Sequence, residues 1–253
     1  MGQVAGSSPS RGDPGNDLTH LLRVTRDKPV AMLFRPPIED IAMAIRKTFA
    51  ALLLLASSQA AQAHEVWIER DGTGPARIYL GEPESALPEG GDPEFDKLKA
   101  PKLVPASNAA MARKAGYLEV ALPAGDVRAT DDTVFAPWGE DGKKESVAYY
   151  ARAGRSEARA TLPFEIAPAV AHGERFILTR DGKPVADAEV KVISPDKWTK
   201  SLKTDAQGAV TVPLQGKGRY LLTAAHKDEG SFDTPAGKVA VLHRITTTTF
   251  VLD

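Results

Sequence analysis

Histidine stands at positions 64, 172, 226 and 243 in the part of the chain that follows residue 63. There is no Cys, so thiolate metal sites, disulfides, iron–sulfur clusters and Cys nucleophiles are excluded. Any metal site must use His, carboxylates, Met or backbone groups. His64 carries the most specific chemistry. It follows Ala61-Gln62-Ala63, an A-x-A signal-cleavage site, and cleavage there makes it the first residue of the mature chain. A free N-terminal His offers its α-amine and imidazole Nδ1 to one ion as a chelate, and one further imidazole completes the T-shaped nitrogen set that favours Cu(II). The bland alternative is a ring exposed to solvent or packed on Trp67.

The remaining candidates are set by strand periodicity. Tyr220, Leu222, Ala224 and His226 alternate onto one face, which puts His226 at the rim of a sheet, either as a ligand or as a polar residue opening the turn Lys227-Asp-Glu-Gly230. His243 shares a face with Val239, Val241 and Ile245, the setting of a ligand or of a satisfied core histidine. His172 has only its loop position to recommend it. Glu65 and Glu69 could add an oxygen for Ni(II) or Co(II), or be solvated surface. The expected metal set is His64 with at least one of His226 and His243.

No nucleophile constellation is visible: the chain lacks a Gly-x-Ser-x-Gly elbow, a His-Glu-x-x-His pair and a phosphate-binding Gly loop, and it reads as a non-enzyme. Copper enzymes that cleave polysaccharides oxidatively also use an N-terminal His, but they add a flat aromatic face, and aromatics are only 6% here. Lys and Arg at 32 nearly cancel Asp and Glu at 33, leaving no cationic field for nucleic acid.

The elements that must position these groups begin after an address label. Arg46 and Lys47, the apolar run Phe49–Ala56 and the Ala61–Ala63 site make residues 43–63 a secretory signal, and the apolar run is far short of the ~20 residues that span a bilayer. Export predicts the periplasm and a mature protein that does not span the membrane. Residues 1–42 are polar, Pro/Gly-rich and aperiodic, a disordered or over-extended leader upstream of Met43.

Short alternating runs bounded by Gly, Pro and Asp then predict an all-β chain. Expected strands include 65–69, 76–80, 116–122 and 146–152, followed by 176–179, 188–193, 200–204, 209–212, 218–225 and 238–252. Gly81–Pro93 carries too many breakers for an element and reads as a long surface loop. Phe95–Lys114 reads as a short helix or polar crossover. Asp181-Gly182 marks a tight hairpin. The pattern predicts two β-sandwich-like domains, residues 64–166 and 167–253, with the second immunoglobulin-like or prealbumin-like and the join near Ala167-Pro-Ala-Val-Ala171.

Ala63-His-Glu-Val-Trp-Ile-Glu69, Asp181-Gly-Lys-Pro-Val-Ala-Asp-Ala-Glu-Val190, Thr204-Asp-Ala-Gln-Gly208 and Gly218–His226 together resemble the domain of unknown function 4198 family. The C-terminal block alone also resembles carboxypeptidase regulatory-like domains. The family resemblance implies a periplasmic component of nickel or cobalt uptake, which binds a divalent transition metal ion and works beside an inner-membrane metal transporter. The competing expectation is a metal-independent interaction module that binds a peptide, glycan or envelope component through the Gly81–Pro93 loop.

Overall fold

The computed structural model describes residues 64–253; the expected leader and the signal over residues 43–63 lie outside the described residues. In chain order the strands are β1 (Glu65–Glu69), β2 (Ala76–Gly81), β3 (Lys102–Leu103), β4 (Met111–Lys114) and β5 (Tyr117–Val120). Next come β6 (Val127–Asp131), β7 (Glu145–Ala153), β8 (Phe164–Pro168), β9 (Arg175–Arg180) and β10 (Lys183–Pro184). The last are β11 (Glu189–Ile193), β12 (Thr199–Lys203), β13 (Ala209–Thr211), β14 (Gly218–Thr234) and β15 (Gly237–Leu252). A 3-10 turn at Phe95–Lys97 is the helical element among the described residues, none of which forms a helix long and apolar enough to cross a membrane. The protein is all-β and built of sandwich-like layers. Where a short helix or crossover was expected over 95–114, the chain instead makes that turn and the strands β3 and β4.

Three sheets carry the fold: β1-β2-β5-β4; a seven-stranded β12-β11-β14-β15-β7-β6-β3; and β10-β9-β13 with β8 on β9. Strand β7 shows how they stack. Its Val147, Tyr149, Ala151 and Ala153 enter a core with Val66, Ile68, Ile78, Leu80, Leu118 and Val120 of the first sheet. Its Ala148 and Tyr150 enter another with Phe164, Ile166, Phe176 and Leu178 of the third. Successive side chains of a strand point to opposite faces, so the seven-stranded sheet is a middle layer covered on both sides.

That layer crosses the expected domain join. It takes β3, β6 and β7 from the first half of the chain and β11, β12, β14 and β15 from the second, with β15 running parallel to β7. The segment expected to be a linker begins inside a fully buried strand, β8, whose last two residues are Ala167 and Pro168. The two β layers therefore share a sheet instead of hanging on a tether. Pro168 misleads the eye because proline is tolerated on a strand's unpaired side.

Two buried polar arrangements lock the layers. Thr247 and Thr249 donate to the carbonyls of Val66 and Ile68 in β1, and Thr248 donates the opposite way to Ile166 in β8, at 2.7 Å for Thr247 and Thr248. β1 pairs only with β2 and β8 only with β9, so these hydroxyls serve edges that lack a second strand. On the β8 side, Glu165 Oε1 accepts from both Arg128 Nε and Arg152 Nη1 at 2.8 Å, and Asp126 pairs with Arg152.

Candidate metal site at His64

His64 immediately precedes β1, whose antiparallel register sets Glu65 opposite Gly81 and so brings the start of β1 to the end of β2 and the loop that follows. That loop is pinned. Gly91 meets Gly116 so closely that a Cβ on Gly91 would lie 2.2 Å from the Gly116 Cα. Gly81 has φ 149°, and a Cβ there would press on Asp92 Oδ2 and Leu87 Cδ2, both at 3.1 Å. Asp92 is fixed further by the backbone N–H of Glu94, which donates to its Oδ1 at 2.7 Å.

The outcome is a carboxylate pair on one ring nitrogen. His64 Nε2 lies 3.2 Å from Asp92 Oδ1 and 3.5 Å from Glu94 Oε2, and the side chains of His64 and Asp92 are only 15% and 10% exposed. A carboxylate only accepts, so Nε2 carries the proton and the lone pair of the neutral ring falls on Nδ1, the nitrogen that chelates together with a residue's own amine. The ring edge also rests on Phe135, with centroids 6.0 Å apart, and Phe135 in turn lies against Tyr149. His64 therefore sits on the first-sheet side of the middle layer. Nothing in the sequence flags Asp92 and Glu94 as its partners, since they lie in a breaker-rich loop 28 and more residues away.

The other histidines stand elsewhere. In the β14–β15 register Lys227 faces His243 while His226 faces Arg244, so the two imidazoles point to opposite sides of the sheet and one ion cannot take both. His226 is on the far side from His64, beside Phe164, with its Nε2 between Arg180 Nη1 at 2.8 Å and Asp228 Oδ1 at 3.2 Å. A guanidinium at that nitrogen opposes a metal cation. Arg180 and Arg244 both bond to Asp228, and Arg244 Nη1 donates to Tyr150, so His226 belongs to a closed ionic network.

His243 is on the same side as His64 but is buried, stacked on Trp138 at 5.6 Å and bonded to Glu145 Oε2 at 2.6 Å. His172 acts through its backbone: φ is 60°, its N–H donates to the Arg155 carbonyl, and its own carbonyl accepts from the Arg155 guanidinium. The expected union of His64 with His226 is thus prevented by strand parity, and among the described residues no group of three or more His, Cys, Asp or Glu side chains is arranged to hold a metal ion.

The two glutamates of β1 differ from a solvated surface pair. Glu69 accepts from Trp67 Nε1 at 3.2 Å and pairs with Arg219. Glu65 is turned inward, where burial pushes its carboxyl up to about 7 despite a hydrogen bond from Thr223, and its Oε2 has no hydrogen-bond partner.

The family model described as "Domain of unknown function (DUF4198)" matches residues 97–228. The chain belongs to that family. The DUF4198 match runs from the 3-10 turn to the Asp228 network, so it includes His172 and His226 and stops short of both His64 and His243. No curated protein matches the chain.

Proposed function

We propose that the exported chain begins at His64 and is a periplasmic protein that binds a divalent transition metal, Ni(II), Co(II) or Cu(II), and serves its uptake or delivery to an inner-membrane transporter. The observation that supports this reading is the pair Asp92 and Glu94 on His64 Nε2. A histidine that ligates metal through one ring nitrogen generally gives its other N–H to a carboxylate, which fixes the tautomer and raises the basicity of the ligating nitrogen. Here that arrangement favours the tautomer whose basic nitrogen is Nδ1. The α-amine released by cleavage supplies the second donor from the same residue, and its ordinary pKa of about 7.7–8.0 lets a metal displace its proton at small cost near neutral pH. Two acidic side chains nearby add attraction for a cation. His226 and His243 are not part of this site.

The test is calorimetric titration of Ni(II), Co(II) and Cu(II), with a competing chelator, into protein that starts at His64 and into the same protein with one alanine added before it. The added residue keeps the imidazole and removes the adjacent free amine. Affinity falls steeply if the chelate is correct. Equal affinity in the two proteins rejects it.

A further inference from the structure

The first sheet meets the middle layer along β1, and this leaves an angle on the side away from the main core. One wall is the outward row of the first sheet, where Trp67 stacks on Tyr79 at 5.2 Å and Tyr117 leans on Tyr79 at a tilt, with centroids 5.4 Å apart. The floor is Ile193 of β11 and Leu221 of β14, which form a small cluster with Trp67, flanked by Leu87. The 82–88 part of the loop bridges the angle. Lys191 is paired with Glu84, and Lys197 Nζ donates to the Pro83 carbonyl at 3.0 Å.

Between these parts lies a cleft of about 460 Å³ whose apolar lining includes Trp67, Leu87, Ile193, Pro195 and Leu221. Its charged lining residues are Glu69, Lys197 and Arg219. Glu69 and Arg219 neutralise each other, with Arg219 Nε 3.4 Å from Glu69 Oε2 and a second bond from Arg219 to Asp71. Lys197 is different: its ammonium is held by a neutral carbonyl. It is also held at φ 66°, a left-handed conformation that costs a non-glycine residue roughly 1 kcal/mol or more. Its backbone N–H donates to Ser194, closing the tight turn that aims the side chain over the cleft.

We infer that this cleft binds a small amphipathic carboxylate, its apolar body against Trp67, Leu87 and Leu221 and its anionic head on Lys197. The volume lies within the range usual for small-molecule sites, and the lining has the usual composition of apolar walls with few charged groups. With two cations and one carboxylate along the lining, the cleft complements one negative charge. The inference does not depend on the metal reading, since neither His64 nor its carboxylates line the cleft.

The probe is 4-phenylbutyrate, titrated into the full protein in the presence of a metal chelator and followed by tryptophan fluorescence and calorimetry, with 4-phenylbutyramide as its uncharged twin. We expect saturable one-to-one binding of the acid, with the amide about tenfold weaker, as befits loss of one charge-assisted contact. Lys197→Gly should weaken the acid about tenfold and leave the amide unchanged. Glycine adopts the left-handed backbone without strain, which offsets the loss of the Lys197–Pro83 hydrogen bond, so this variant keeps the fold. Leu87→Asp should abolish both. Failure of the acid to saturate, or acid binding that Lys197→Gly leaves intact, overturns the assignment.

Discussion

His64 Nε2 and Asp92 Oδ1 lie 3.2 Å apart across a loop that packs its Asp92 and Leu87 side chains on Gly81 at its entry and Gly91 on the Gly116 backbone at its exit. This contact sets the tautomer of the ring and therefore which nitrogen is offered to an ion. Removing it by Asp92→Ala should lower the affinity for Ni(II) or Cu(II) about 10- to 100-fold, the usual effect of losing a carboxylate behind a metal-bound histidine. Competition titrations measure it. Unchanged affinity would mean that the ring is oriented by something else.

The exported protein should start at His64. Intact mass of periplasmic material decides this directly. A start at any other residue removes the amine from the proposed chelate, and a Met43 start that fails to direct export would refute the reading of residues 43–63 as a complete signal.

His226→Ala and His243→Ala should leave metal affinity within about twofold of the parent, because one imidazole lies across the sheet from His64 and the other is committed to Glu145. The same titrations check it, with His64→Ala as the positive control. A large loss in either variant would bring back the three-histidine set.

Thr248→Val keeps the shape of the side chain and removes the hydroxyl that bonds the Ile166 carbonyl. The β8 edge then loses a buried donor, at a cost of about 1–3 kcal/mol in urea unfolding. Thr246→Val is the contrast. The Thr246 hydroxyl is buried without a partner, so that substitution should be neutral or stabilising.

Glu165→Gln leaves Arg128 and Arg152 buried with too little negative charge and should cost about 3–5 kcal/mol. Asp126 adds a pH dependence to the same network. Although burial acts to raise its pKa, hydrogen bonds from Ser156 and the charge of Arg152 outweigh that and hold it below the usual carboxylate range. A carboxyl depressed in the folded state contributes stability that is complete above its unfolded pKa of about 3.9 and is lost as pH falls through the depressed value. Unfolding free energy measured from pH 6 downward should therefore drop more steeply in the parent than in Asp126→Asn. Parallel curves would show that Asp126 is not part of the acid response.

The sequence by itself determined the all-β class and most of the strands, because alternation and turn residues are local properties. At Asp181-Gly182 both residues have positive φ, 50° and 76°, as a tight hairpin between Arg180 and Lys183 requires. It determined far less about β6, where Arg128 alternates with Val127 and Ala129 like a solvent-facing residue yet is buried by its pairing with Glu165, 37 residues away. It hid β8, where Pro and Ala at 167–169 resemble a linker. The parity that sends His226 and His243 to opposite faces could have been read only with the β14–β15 register in hand, and the register is a long-range pairing. Only the tertiary structure put Asp92 and Glu94 on His64, since two carboxylates in an aperiodic loop acquire a partner when Gly81 and Gly91 fold that loop back on the sheet. Local pattern encodes which residues alternate; which surfaces then meet is settled by packing between segments far apart in the chain.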